Sequence, residues 1–171
     1  KIKEHLNHIN IHFETNEQGV SSVYLNNENV ESEIRMKHVA ESVSRIAEIK
    51  EVRDKLVSEQ RKLGKYGGIV MDGRDIGSVV FPNAELKFFI TADIDVRTER
   101  RFSEMKEKGL SISKKEVESN LTLRDKIDST RKESPLIKVK EAIEINNSNL
   151  SKEEQLELVL KIVQKTIHKL S

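Results

Sequence analysis

Three stretches of this chain gather charged side chains at spacings that could do chemistry. The first is Met71-Asp72-Gly73-Arg74-Asp75-Ile76-Gly77, in which two acids and an arginine fall within four residues between glycines that permit tight turns. Side chains just past an apolar run are well placed for work, because ligands of open α/β sheets bind at the carboxyl ends of strands. The competing reading is a turn ordered by its own ion pair. The second stretch holds Arg124, Asp125, Asp128 and Arg131. Arg124 and Asp128 are four apart and share a helix face, and Arg131 continues that face if the helix persists. Planar guanidinium forks match the oxygens of a phosphate, although spacing alone favours a solvated helix with ordinary ion pairs. The third is Arg97, Arg100 and Arg101, followed by Lys106 and Lys108. In a phosphoryl-transfer enzyme such a run can form a mobile lid that neutralises charge in the transition state, but as a bare pattern it is weak.

Other chemistries find no support. The chain has no cysteine, which removes thiol catalysis, disulfides and cysteine-ligated metal sites and is consistent with a reducing cytosol. His5, His8, His12, His38 and His168 show no metal-ligand clustering, so structural or surface roles are expected and no metal site is assigned. No G-x-x-x-x-G-K-[ST] phosphate loop occurs. Gly64-Lys65-Tyr66-Gly67-Gly68 has the letters in the wrong order, ahead of an apolar run, and reads as a helix stop and turn.

The elements that must position these residues follow from periodicity. Ile9 to Phe13 alternates apolar and polar side chains as a strand with one buried face does, Asn16 to Gly19 is a turn, and Ser22 to Leu25 is the return strand. Asn26-Asn27 turns again before a short third strand around Val30. Met36, Val39, Ala40, Val43, Ile46 and Ala47 then follow helical spacing, and Ile49, Val52, Leu56 and Leu63 mark a second, charge-rich helix. Ile69-Val70-Met71 and Leu86 to Ile90 read as strands buried on both faces. Asp93 is placed to cap a helix running through the three arginines to about Lys108, with Gly109 as its stop. Ser113-Lys114-Lys115-Glu116 is a capping box for the next helix. Glu141 to Ile145 is a strand, and Ser151 to Glu154 caps a last helix with a stripe of Leu156, Val159, Leu160, Val163, Ile167 and Leu170. Strand alternating with helix argues an α/β core with a parallel sheet flanked by helices, preceded by a small antiparallel β-meander with its own helices.

Composition sets the bounds. At 171 residues the chain fits one core with small excursions, and a net charge of +1 argues against a general nucleic-acid binder, so positive charge for anionic ligands must be local. No apolar run approaches the length of a membrane span.

In this order, Val70 to Gly77 with Val79-Val80-Phe81-Pro82, Arg97-Thr98-Glu99-Arg100-Arg101, Leu123 to Arg131 and Ser134-Pro135-Leu136 resemble the bacterial-type cytidylate kinases. Upstream, Glu33-Ile34-Arg35 and Val43 to Arg53 look like that family's monophosphate-binding region. The resemblance implies a P-loop kinase core, with residues 1–66 as the monophosphate-binding region carrying the meander as an insertion. Residues 67–171 would be the kinase core, including a lid at about 97–115. It implies a transferase that moves the γ-phosphoryl group of ATP to CMP or dCMP with Mg²⁺. The hydrophilic helix faces favour a monomer, and a cytoplasmic protein with no nucleic-acid or membrane partner is expected. Ser44, Arg53 and Asp75 fall at positions that read the cytosine edge, Arg74 and Arg131 at positions that grip the CMP phosphate, and Arg124 and Asp128 near the sugar. Arg97, Arg100 and Arg101 look like lid arginines for the ATP phosphates, which with Arg74 and Arg131 would make up the catalytic set. The family's first strand and phosphate loop have no counterpart here, which predicts an inactive protein if the chain were truly this short. Apart from the resemblance, the rival readings are a noncatalytic nucleotide- or phosphate-binding module and a structural α/β fragment.

Overall fold

The computed structural model describes residues 2–170, except that the side chains of residues 2, 3, 37, 40, 41, 44, 169 and 170 lie outside the described set. It divides into two compact units.

The first unit comprises Lys1–Met71 with Arg131–Glu133. After a short helix α1 (Ile2–His5), strands β1 (Ile11–Thr15), β2 (Ser21–Leu25) and β3 (Glu28–Asn29) form an antiparallel sheet in that order. Local polar chemistry sets both turns. Asn16 Oδ1 accepts from Gln18 N–H at 3.0 Å and Val20 N–H at 2.9 Å while Gly19 takes φ 79°. Asn26 and Asn27 both have positive φ, 50° and 68°, as a two-residue loop between right-twisted strands requires. The first strand starts two residues later than its alternation suggests. Asn10 is used at the hairpin's end, where its carbonyl accepts from Asn26 N–H and its N–H donates to Asn26 Oδ1. The apolar face is Ile11, Phe13, Val23 and Leu25, but Phe13 and Leu25 stay exposed, so the expected single buried face is only half formed. On the other face His12 stacks on its cross-strand partner Tyr24, ring centroids 5.2 Å apart. Helices α2 (Lys37–Ile46) and α3 (Lys50–Leu63) follow, and α3 buries Val52 and Val57.

Ile69-Val70-Met71 is not a strand. A strand exists by its ladder, and none of the described residues pairs with these three. Gly67 and Gly68 both hold positive φ just before them, and Val70 is fully exposed.

The second unit comprises Asp72–Thr130 and Ser134–Ser171. Strand β4 (Phe88–Thr91) pairs in parallel with β5 (Ile143–Asn146), Phe88 opposite Ile143 and Thr91 opposite Asn146. Between them run two helices packed on one another, α4 (Ile94–Glu107) and α5 (Lys114–Thr130), and α6 (Lys152–Leu170) closes the chain. This is the expected strand–helix–strand alternation. Val80, Val117 and Ile145 are its buried apolar side chains among the described residues. At the end of α4, Gly109 takes φ 72°, with Leu110 N–H bonded to Met105 O and Gly109 N–H to Lys106 O, which satisfies the last carbonyls. Ser113 and Glu116 exchange N–H bonds at 2.8 and 3.2 Å, as do Ser151 and Glu154 at 2.8 and 3.1 Å, so both capping boxes form. Asp93 occupies the N-cap of α4 without a side-chain cap bond; its own N–H donates to Ser148 Oγ instead. No helix among the described residues is long and apolar enough to cross a membrane.

Candidate functional site

The Asp72–Gly77 segment leads into an unusual turn. Ile76–Val80 is one turn of π-helix: Val80 N–H reaches Asp75 O at 3.2 Å and Phe81 N–H reaches Ile76 O at 2.7 Å. Any larger residue at Gly73 would force the Ile76 side chain to move. A Cβ there would sit 2.9 Å from Ile76 Cγ1, closer than side chains tolerate. Asp75 is buried at the start of the turn, its carbonyl accepting from both Val79 and Val80, while Asp72 is exposed.

Arg74 projects to α5. Its Nε lies 3.0 Å from Asp128 Oδ2, and Arg124 Nε lies 3.7 Å from the same oxygen. The Asp128 side chain is 3% exposed, whereas Arg74 and Arg124 are 40% and 44% exposed. One sequestered carboxylate therefore aligns two cations that solvent, or a ligand, can still reach. The Arg124 guanidinium is held below its ordinary value, chiefly by burial and then by the like charge of Arg74, with Asp128 opposing. Arginine stays protonated regardless, so the local field is positive and an anion would relieve it.

The α4 arginines are matched differently. Arg97 Nη1 pairs with Asp125 Oδ2 across to α5 at 2.6 Å. Arg101 pairs with Glu104 at 2.7 Å, and Lys108 with the other Glu104 oxygen at 2.6 Å. Hydrogen bonds from Lys108 and then Arg101 hold the Glu104 carboxyl below its usual range. Arg100 donates to Asn147 Oδ1 at 3.0 Å, Asn147 O at 2.8 Å and Leu150 O at 3.3 Å, tying α4 to the loop after β5.

The structure thus joins Arg74, Arg124 and Asp128, and sets Arg97 on Asp125. Arg100 and Arg101 are engaged elsewhere in the same unit. Arg53, half-buried on α3, and Arg131, buried just past α5, belong to the first unit. The side chain of Ser44 lies outside the described residues. Arg131 does not continue the Arg124–Asp128 face, because α5 ends at Thr130. The sequence offers Asp125 no partner and gives no reason to single out Asn147. Both bind arginines distant in sequence, so no local spacing signals them.

Residues 1–165 match the sequence profile of a family described as cytidylate kinase. The chain belongs to the cytidylate kinase family. A cytidylate kinase of Flavobacterium johnsoniae is 49% identical over 165 residues, covering 96% of this chain and 72% of that protein. One from Parabacteroides distasonis is 48% identical over 168 residues, covering 98% and 73%. One from Pediococcus pentosaceus is 45% identical over 164 residues, covering 96% and 72%. As a member of the family the chain is a nucleotide kinase, a phosphotransferase, and its α/β architecture agrees with that class.

Proposed function

We propose that this protein transfers the γ-phosphoryl group of ATP to CMP or dCMP, giving CDP or dCDP and ADP. Family membership and relatives named for that activity support it. The observation that carries it in this molecule is the buried Asp128 carboxylate aligning the open guanidinium groups of Arg74 and Arg124. That arrangement suits a phosphorylated sugar. Arg74 holds a phosphate oxygen, Arg124 lies by the sugar, and the carboxylate both orients them and accepts from a hydroxyl.

By motif position, Arg74 and Arg131 grip the acceptor phosphate, Arg124 and Asp128 lie by its sugar, and Ser44, Arg53 and Asp75 read the base. Cytosine offers an amino donor beside a ring-nitrogen acceptor, which a carboxylate or hydroxyl with an arginine recognises. Uracil presents the reverse. An oxygen of the acceptor phosphate attacks the γ-phosphorus, the bond to the β–γ bridging oxygen breaks, and ADP leaves. That nucleophile is already ionised at neutral pH, so no general base is assigned. Catalysis is then alignment, water exclusion and charge neutralisation.

Within the lid, residues 97–115, Arg97 and Arg101 are the arginines for the donor phosphates, since each is held by one partly exposed carboxylate that a phosphate can replace. Arg100 supports the loop after β5. Mg²⁺ is expected to arrive with ATP. Among the described residues no group of three or more acidic or histidine side chains stands together to hold a metal, so no step is assigned to protein ligands of the ion. Residues 1–66 form the monophosphate-binding region and 67–171 the P-loop kinase core, of a monomer working in the cytoplasm.

The test is a coupled ADP-release assay of the intact protein with ATP and CMP, dCMP, UMP or AMP. CMP and dCMP should be turned over best. Equal rates on UMP would remove Ser44, Arg53 and Asp75 from base reading, and tight CMP binding without turnover would make the protein a noncatalytic binding module.

A further inference from the structure

We infer that Lys87 is a positioning residue: it clamps the π turn at Ile76–Val80 and thereby aims Arg74 and Asp75 at the acceptor nucleotide. The inference rests on the acceptor reading above, but its geometry is independent of it. Lys87 immediately precedes β4, so its backbone is anchored to the sheet; Ile143 N–H donates to its carbonyl at 2.9 Å. From there the half-buried side chain reaches back over the turn. A Cβ placed on Gly77 would lie 3.3 Å from Lys87 Cδ, 3.5 Å from its Cγ and 3.7 Å from its Cβ, so the aliphatic stem lies along that glycine. The ammonium then donates to Pro82 O at 2.5 Å, just past the turn's last residue. One side chain touches the turn near its start and holds the chain at its exit.

Such a clamp has a physical reason. An isolated π turn is a rare, wide ring with no intrinsic preference over the α or 3₁₀ alternatives, and it persists where the surroundings hold it. If the turn relaxed to another hydrogen-bond register, the Asp75 carbonyl would lose its pairing with Val80 N–H. The backbone carrying Asp75 and Arg74 would rotate, and Arg74 would leave its 3.0 Å contact with Asp128. Gly77 is then needed for the room it leaves to Lys87, and Lys87 is needed to hold a turn that the backbone alone does not favour.

The test compares Lys87→Met, which keeps the stem and loses the donor, with Lys87→Arg, which restores a donor. Two readouts are taken on the intact protein. Hydrogen exchange at the Val80 and Phe81 amides reads the clamp without any ligand; Lys87→Met should speed it about tenfold, leaving the β4 amides unchanged, and Lys87→Arg should recover most of the protection. Steady-state kinetics should show KM for CMP raised about tenfold with KM for ATP within twofold. Unchanged amide exchange would overturn the clamp. Faster exchange with an unaltered KM for CMP, or equal losses for both nucleotides, would overturn the positioning role. A wild-type protein that turns over no CMP would sink the acceptor reading instead, and the exchange data would still decide the clamp.

Discussion

Two groups of arginines in the second unit use carboxylates in opposite ways. Around Asp128 two cations share one buried oxygen, and both remain open to solvent. On α4, Arg97 pairs with Asp125, Arg101 and Lys108 take separate oxygens of the half-exposed Glu104, and Arg100 is bound to carbonyls and an amide. A shared, sequestered carboxylate leaves positive charge that a ligand must complete, and it fixes the cations before the ligand arrives. A surface pair in which each cation has a carboxylate oxygen to itself is screened by solvent and weak, so it can be exchanged for a phosphate when one is offered. The first arrangement suits a preorganised acceptor site and the second suits a lid.

The largest effect is expected where preorganisation is removed. Arg74→Ala should lower kcat/KM for CMP by about 10³-fold, since it deletes a charge-assisted contact made by a fixed donor. A loss under tenfold would mean that Asp128 aligns nothing for the reaction, and the contrast between the two groups would collapse. Within α4 the contrast is finer. Arg97→Ala should lower kcat by about 10–100-fold with KM for CMP unchanged, because its partner Asp125 only stores it. Arg100→Ala should instead cost about 1 kcal/mol in denaturant unfolding, through the solvent-exposed hydrogen bonds it loses to Asn147 and Leu150, with kcat within about threefold. Reversed outcomes for these two would exchange their roles.

The parts that sequence reveals here are those whose causes are local. Ser113 with Glu116, Ser151 with Glu154, Gly109 and Asn26-Asn27 each satisfy backbone groups within a few residues, and each forms as its pattern indicates. Arg124 and Asp128 meet because four residues is a helical spacing. Ile69 to Met71 misleads because an apolar run becomes a strand only through a partner, which lies outside the run itself. The π turn has no signature in residue types; it is visible only with Lys87 folded over Gly77. Arg97 with Asp125 and Arg100 with Asn147 are encoded by how α4 meets α5 and the end of β5. Local pattern therefore placed the charged segments, but tertiary pairing decides which charges are matched and which are left over.

The smallest effect tests whether the α4 pairs are as weak as the comparison requires. Glu104 accepts from Lys108 and Arg101, and its folded value lies below the ordinary 4.5. Its pairs therefore contribute stability that is fully present above pH 4.5 and is lost as pH falls through the lowered value. With the side chain 44% exposed, solvent screening keeps that contribution to a few tenths of a kcal/mol, roughly. Glu104→Gln should accordingly lower Tm by about 1–2 °C at pH 7 and by progressively less as pH falls below 4.5, where wild type loses the same pairs. A larger loss at pH 3 than at pH 7 would contradict the sign. A drop of more than about 5 °C at pH 7 would show that Arg101 is locked rather than exchangeable, and it would then join Arg100 as part of the scaffold.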